Sequence, residues 1–189
     1  RGDIDQKQAD PGPVLGGSTA GMFVRLEVWS RLHGFDPALP LFRDGVDFGW
    51  RANEAGMVVR TAPTCTIHHR QAGRGWQRES NLAPRPDVTD RLAGMRMVAA
   101  RTGHPTRTSF ALLLASVWRF IVLLVGKAPS RAADEWRAGW QLWKTRSVTR
   151  EMSQRLQEFH AQCDPDDLEN TNRLLPSRRS VWARAVDRY

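Results

Sequence analysis

The sequence predicts an α/β fold at residues 16–70, followed by an α-helical region over 108–189. In the first part, short β-prone runs alternate with segments whose apolar residues recur at helical spacing. The second part is centred on an apolar run at 110–126. The Arg-, Gly- and Pro-rich stretch at 71–107 is expected to join the two. The polar lead-in at 1–15 has no initiator Met and no signal peptide, which indicates a fragment with sequence upstream.

The first elements of the α/β block follow from local signals. Residues 18–24 form a strand-like run that begins with small side chains. Residues 26–32 carry apolar side chains close to helical spacing. Gly34 is expected to end that helix, because glycine tolerates the left-handed conformation that follows a helix.

A second helix is predicted from Asp44 to Ala55, closed by Gly56. Its first turn is acidic, which suits the positive end of the helix dipole. Residues 57–62 and 64–67 are β-prone runs that Pro63 separates.

Composition limits the class of protein. A hydrophobic content of 41% with 25% charged residues fits a globular fold and excludes wholesale disorder. The net charge of +8 suits nucleic acid, anionic lipid or phosphate-bearing substrates. The Arg-Gly-rich stretch at 70–78 has Trp76 alone for base stacking and no recognised binding fold, so no nucleic-acid partner is expected and a basic nucleic-acid-binding module is the less favoured alternative. Cys65 and Cys163 stand alone, so a zinc site is not expected either.

An ordered set of residues between 21 and 69 carries the functional signal. It combines a small-residue run before an Arg and a helix, a Gly-Phe-Asp triplet, an acidic cluster, an Arg four residues later, a closing Gly and a His after a Pro. These features fall on Gly21, Arg25, Gly34-Phe35-Asp36, Asp44-Gly45-Val46-Asp47, Arg51, Gly56, Pro63 and His69.

This order resembles the C-terminal half of family-2 glycosyltransferase catalytic domains, as in large actinobacterial-type enzymes. Its acidic-to-His portion also resembles galactofuranosyltransferases. The resemblance implies that residues 1–107 form the acceptor-side half of a GT-A (Rossmann-like) domain and that 108–189 form a helical, membrane-associated region. The nucleotide-binding half would lie upstream, because Asp3-Ile-Asp5 does not follow an apolar strand as the family's metal motif does.

An inverting transferase needs a base that removes a proton from the acceptor hydroxyl, and a carboxylate can serve. The second acid of the family's cluster is the usual base, but Gly45 stands there. Asp44 or Asp47 is then the candidate catalytic base, unless the chain comes from an inactive member. Alternatively, Asp47 and Arg51 form only a helix-surface ion pair.

The resemblance also implies substrate and metal contacts. Candidate substrate-binding residues are Thr19, Ala20, Gly21, Trp50 and Arg51. A divalent cation, Mn²⁺ or Mg²⁺, would stabilise the charge of the nucleotide diphosphate leaving group.

His69 is the first candidate ligand for that cation and His68 the second, because carboxylates and histidine suit such ions. A structural, hydrogen-bonding histidine is the alternative.

The apolar run at 110–126 indicates contact with a membrane. Its length and apolar content approach those of a transmembrane helix, although it includes Arg119. The alternative is a helix that lies in the interface, with Ala115, Ser116 and Arg119 on one polar stripe. A second helix is predicted from Pro129 and Ser130.

Three tryptophans in this second helix, Trp136, Trp140 and Trp143, recur at helical spacing beside basic residues. The pattern is typical of a helix at headgroup level. The alternative is that these side chains pack against the catalytic domain.

We therefore expect a glycosyltransferase fragment that moves a sugar from a nucleotide-sugar donor to a cell-envelope glycan or a lipid-linked acceptor, with inversion. The donor would be held by the upstream half. The enzyme would work at the cytoplasmic face of the cell membrane. A non-catalytic, membrane-associated remnant or adaptor is the alternative, and Gly45 is the residue that favours it.

Overall fold

A computed structural model describes residues 12–67 and 85–175 of the chain. The regular elements of these two stretches are a short 3₁₀ turn at Thr19–Gly21 and seven α-helices. The helices are α1 (Leu26–Arg31), α2 (Asp44–Glu54), α3 (Pro86–Ala100), α4 (Pro105–Val125), α5 (Pro129–Lys144), α6 (Arg146–His160) and α7 (Pro165–Arg173).

The predicted α/β, GT-A (Rossmann-like) fold is wrong for this part of the chain. Residues 18–24 contain the 3₁₀ turn instead of a strand, and 57–67 hold a single antiparallel bridge, between Arg60 and Pro13. A β-prone run becomes a strand only where a neighbour supplies a ladder of hydrogen bonds. Among the described residues, this bridge has two flanking hydrogen bonds, from Val14 N–H to the Val59 carbonyl and from Thr61 N–H to the Gly12 carbonyl, which do not extend into a ladder.

Two of the predicted helices and their ends are confirmed. Helices α1 and α2 begin at Leu26 and Asp44, as the spacing predicts. Gly34 and Gly56 follow them with φ of 67° and 74°, in the left-handed region that glycine adopts without strain.

Proline starts four of the helices, α3, α4, α5 and α7. A proline suits the first helical position because its missing N–H would have no partner within the helix. The start of α5 at Pro129 is as predicted. Helix α3 was not predicted, because its proline lies in the stretch at 71–107 that was expected to be only a connection.

The helices share cores across the predicted boundary after residue 107. Helix α3 packs against α4, α5 and α6. In each of three apolar clusters, residues before position 107 contact residues after it. The first joins Ala38, Leu39, Ala93 and Ala100 to Met152 and Leu156, the second Val88 and Met95 to Ala138 and Leu142, and the third Leu32, Phe48 and Ala52 to Phe159.

Helices α4 and α5 form an antiparallel hairpin with a close approach at its centre. A Cβ built on Gly139 of α5 would lie 2.6 Å from the Cβ of Ser116 in α4. Ser116 is 1% exposed, and its hydroxyl donates to the sulfur of Met95 in α3 over 3.7 Å. The inner side of α4 is therefore fixed against two neighbouring helices.

Candidate functional site

The predicted acidic cluster forms the first turn of α2. Asp44 is half-buried and Asp47 is completely buried, although only three positions separate them. A helix turns about 100° per residue, so positions three apart differ by about 60° around the helix axis. This difference is enough for one side chain to be buried and the other to be partly exposed. The two carboxylates consequently have different surroundings.

Both oxygens of Asp47 accept hydrogen bonds from arginines. Arg51 Nε donates to Oδ2 over 2.8 Å, and Arg101 Nη2 donates to Oδ1 over 3.1 Å. The Asp47 and Arg51 pair that the spacing indicated is therefore formed, but the interpretation as a surface pair is wrong, because the Asp47 side chain is only 1% exposed. This geometry fits a structural ion pair better than a proton acceptor or a metal ligand.

Arg51, predicted to bind substrate, reaches back to the end of α1. Its two terminal nitrogens donate to the backbone carbonyls of Leu32 over 2.6 Å and Gly34 over 2.9 Å. Carbonyls at and beyond the C-terminus of a helix have no N–H donor within the helix. The buried guanidinium of Arg51 supplies the hydrogen bonds that they would otherwise lack. Trp50 lies under Arg101, whose guanidinium carbon is 3.9 Å from the ring centroid.

The ion network continues through residues that the sequence did not reveal. Arg101 Nη1 donates to Glu54 Oε1 over 2.7 Å, and the other oxygen of Glu54 lies 3.1 Å from His160 Nε2 in α6. That second contact falls short of hydrogen-bond geometry. The i, i+7 spacing of Asp47 and Glu54 places both on one helix face, but no local signal identifies partners 47 or more positions away.

The Gly-Phe-Asp triplet also has structural contacts. Phe35 packs edge-on against Trp29, with ring centroids 4.8 Å apart. Asp36 accepts from the N–H of Ala38 and from Arg155 of α6, whose Nη2 lies 2.7 Å away. The hydrogen bonds that Arg155 donates to Asp36 are the main cause that raises the pKa of Arg155.

The predicted substrate-binding turn Thr19–Gly21 lies beside the start of α2. A Cβ built on Gly45 would be 2.9 Å from the Thr19 Cγ2 atom and 3.1 Å from its backbone nitrogen. It would also overlap the carbonyl oxygen of Gly17. Thr19, Ala20 and Gly21 are exposed, and Asp44, which precedes Gly45 in α2, is half-buried. The absence of a side chain at Gly45 is therefore needed for this close approach.

Both predicted metal ligands, His68 and His69, lie outside the described residues. Within 12–67 and 85–175, no group of three or more His, Cys, Asp or Glu side chains is arranged to hold a metal ion. Asp47 does not fit a ligand because two arginines occupy its oxygens. Among the acidic-cluster residues, Asp44 alone has the accessibility that a ligand requires.

A second feature is the outer side of α4, where every exposed residue from 110 to 125 is apolar. We call this surface the apolar face. It consists of Phe110, Ala111, Leu114, Ala115, Trp118, Ile121, Val122, Leu124 and Val125. Helix α4 contains an 18-residue window with a mean hydropathy of 2.1 and is long enough to cross a membrane, yet only 11% of that window is buried. It is therefore not a core helix of the described fold.

The predicted tryptophan stripe divides between two environments. Trp136 and Trp140 stack on each other with centroids 5.9 Å apart and remain 41% and 49% exposed. Phe120 of α4 contacts Trp136, which places this tryptophan pair at the border of the apolar face. Trp143 instead packs against Phe110, with Arg146 over its ring.

The predicted polar stripe of α4 faces the protein in part. Ser116 is buried and Arg119 pairs with Glu135 of α5 over 3.3 Å, whereas Ala115 belongs to the apolar face. At the start of α4, a shallow open concavity of about 410 Å³ is lined by Gly103, His104, Pro105, Thr106, Arg107 and Arg150. None of its lining residues was predicted as a site.

Comparisons with protein-family models, with curated proteins and with solved structures found no match to this chain. Its function is therefore argued from the residues and their geometry.

Proposed function

We propose that this chain is the acceptor-side part of a glycosyltransferase that works at a membrane surface. It would help transfer a sugar from a nucleotide-sugar donor to a cell-envelope glycan or a lipid-linked acceptor. The cytoplasmic face of the cell membrane is the proposed location, because nucleotide sugars are the donors. An upstream half would bind the donor.

The observation that carries the transferase proposal is the close approach of the Thr19–Gly21 turn to Gly45, which follows Asp44 in the first turn of α2. The resemblance places the base and acceptor contacts on these two elements, and they lie side by side although more than 20 positions separate them. Asp47 is committed to Arg51 and Arg101, so Asp44 is the proposed base. It would take the proton of the acceptor hydroxyl as that oxygen attacks the anomeric carbon.

The described residues supply too few ligands for a divalent cation, so no step is assigned to one. A requirement for Mn²⁺ or Mg²⁺ stays a prediction that depends on His69 and His68. If such a cation is bound, it would stabilise the charge of the departing nucleotide diphosphate.

The membrane part of the proposal is carried by the apolar face. An exposed, continuous surface of large apolar side chains is unfavourable in water and favourable in acyl chains. Exposed basic residues at both ends of α4, Arg107 and Lys127, suit anionic headgroups. Flotation of the full chain with vesicles of phosphatidylcholine and phosphatidylglycerol tests this part. Protein that stays in the dense fraction with every lipid mixture would refute it.

The transferase part is tested by sugar transfer from a panel of nucleotide sugars to envelope glycans. The assay uses the chain joined to the upstream half that the resemblance implies. Asp44→Asn should lower turnover by about 10²–10⁴-fold, as loss of a general base does. Asp87→Asn is the matched control, because Asp87 occupies the first turn of α3 and is exposed. Equal activity in the two variants would remove Asp44 from the mechanism.

A non-catalytic, membrane-bound adaptor is the second candidate. The observation that favours it is Gly45, which replaces the usual base and has backbone packed over it. For this candidate, we expect vesicle binding without sugar transfer by any donor.

A further inference from the structure

We propose that α4 binds the membrane lying in the plane of its surface, with the apolar face among the acyl chains and α5 on the opposite side, and that it does not cross the bilayer. This inference rests on the membrane association proposed above. It adds the orientation of the helix, which its composition leaves open.

Length does not decide between the two orientations. Helix α4 has 21 residues, which is about 31 Å at ~1.5 Å per residue and matches a hydrocarbon core of about 30 Å. A crossing helix would need lipid or apolar neighbours around its whole circumference. In α4 the two sides of the helix differ, and this difference carries the argument.

The outer half of α4 is apolar over its whole length. The exposed positions 110, 114, 118, 121 and 125 follow one another at spacings of three and four, which defines one stripe along the helix. Positions 111, 115, 122 and 124 widen that stripe to about half the circumference, at ~100° per residue. Such a one-sided helix suits an interface between water and acyl chains.

The inner half of α4 packs against α3 and α5, which carry charged side chains. Arg119 pairs with Glu135 of α5 over 3.3 Å, and the second oxygen of Glu135 pairs with Arg91 of α3 over 3.3 Å. Ser116 packs against Gly139 at the close approach of the hairpin. Glu135 therefore joins three helices at the middle of α4, on the side opposite the apolar face.

A crossing α4 would take these neighbours into the bilayer. Phe110 contacts Trp143 near one end of α4 and Phe120 contacts Trp136 near the other, so α5 accompanies α4 over most of its length. Helix α5 carries several charged side chains, which are strongly disfavoured in hydrocarbon. They are Arg131, Asp134, Glu135, Arg137 and Lys144.

The tryptophan pair fits the headgroup level that an in-plane α4 requires. Trp136 and Trp140 lie at the border of the apolar face and are about half exposed. Tryptophan side chains favour the membrane–water interface because the ring is apolar and the indole N–H is polar. In a crossing orientation, a pair near the middle of the hairpin would lie in the bilayer centre instead.

The orientation is measured by the depth of spin labels on the full chain bound to vesicles of phosphatidylcholine and phosphatidylglycerol. Cys65→Ser and Cys163→Ser remove the native thiols. Single cysteines are then placed along the apolar face by Leu114→Cys, Trp118→Cys, Ile121→Cys and Val125→Cys. Val98→Cys is the control, because Val98 is 53% exposed on α3, close to the 54% of Leu114. Each depth is read from the ratio of relaxation by oxygen to relaxation by a water-soluble nickel complex.

An in-plane helix predicts similar, shallow depths for the four labels on the apolar face and an aqueous position for the label at 98. A crossing helix predicts depths that pass through the bilayer centre, together with labelling of only one of Arg107→Cys and Lys127→Cys by an impermeant thiol reagent added outside. That result would overturn the inference and leave membrane association standing. Failure of every variant and of the unmodified chain to bind vesicles would refute membrane association itself.

Discussion

Helices α2 and α4 place their side chains in opposite ways. Helix α2 is rich in polar residues, yet it buries Asp47, Arg51 and Glu54. Helix α4 contains an 18-residue window with a mean hydropathy of 2.1, yet it leaves its apolar face exposed. The composition of a helix therefore does not determine which of its side chains are buried. Its neighbours decide this, and here they pair the buried charges of α2 with charged partners while leaving the outer side of α4 uncovered.

The largest effect is expected when Asp47, the centre of the buried ion network, is removed. Asp47→Ala should lower the free energy of unfolding by about 3–5 kcal/mol, because it leaves Arg51 and Arg101 buried without their shared partner. Urea denaturation followed by circular dichroism measures this change.

The matched control is Asp90→Ala. Asp90 also accepts two hydrogen bonds from one arginine, Arg43, but the two side chains are 31% and 43% exposed. Loss of an exposed pair should cost less than about 1 kcal/mol. Equal losses for Asp47→Ala and Asp90→Ala would contradict the burial that distinguishes α2.

A smaller effect is expected where the backbone packs on α2. A Cβ at Gly49 would lie 2.8 Å from the carbonyl oxygen of Leu15, so Gly49→Ala should destabilise the fold by about 1–3 kcal/mol. Gly94→Ala is the control in the middle of α3, where the added Cβ meets only Arg43 Nε at 3.8 Å. That variant should gain about 0.5–1 kcal/mol from better helix propensity. A gain in both variants would mean that α2 does not pack so closely.

The smallest effect concerns a thiol near the same network. Burial, followed by the charge of Glu54, raises the pKa of the Cys163 thiol. Its Sγ also donates to the Phe159 carbonyl over 3.4 Å, whereas Cys65 is exposed. Because the thiolate is the reactive form, iodoacetamide at pH 8 should modify Cys163 several-fold more slowly than Cys65. Peptide mass spectrometry measures the two rates, and a faster reaction at Cys163 would contradict this environment.

Local signals predicted α1, α2, α4 and α5, but not α3 and not how the helices pack. The spacing at 26–32, the acidic first turn at Asp44 and the two closing glycines predicted α1 and α2, because helix ends depend on a few neighbouring residues. The strand predictions for the β-prone runs at 18–24, 57–62 and 64–67 are wrong, since a strand requires pairing that sequence-local signals do not encode.

The candidate site was predictable to a similar extent. The i, i+4 spacing of Asp47 and Arg51 predicted their contact, but Arg101 and His160 approach from helices far along the chain. The burial of Asp47 therefore could not be predicted. The choice of Asp44 over Asp47 as the proposed base depends on that burial, so it could not be predicted either. In α4, the sequence revealed an apolar helix, but its one-sided exposure depends on how α3 and α5 pack.

The most direct test of the central claim, that the outer side of α4 is a lipid-binding surface, compares Leu114→Glu with Val98→Glu in vesicle flotation. The two positions are equally exposed, at 54% and 53%, but Leu114 belongs to the apolar face and Val98 does not. Neither change should alter stability by more than about 0.5 kcal/mol, as is usual for exposed sites. We predict that Leu114→Glu weakens binding to phosphatidylcholine–phosphatidylglycerol vesicles by tenfold or more, which corresponds to a loss of roughly 1.4 kcal/mol of binding free energy or more. Val98→Glu should bind nearly as tightly as the unmodified chain. Equal binding by both variants would contradict the claim.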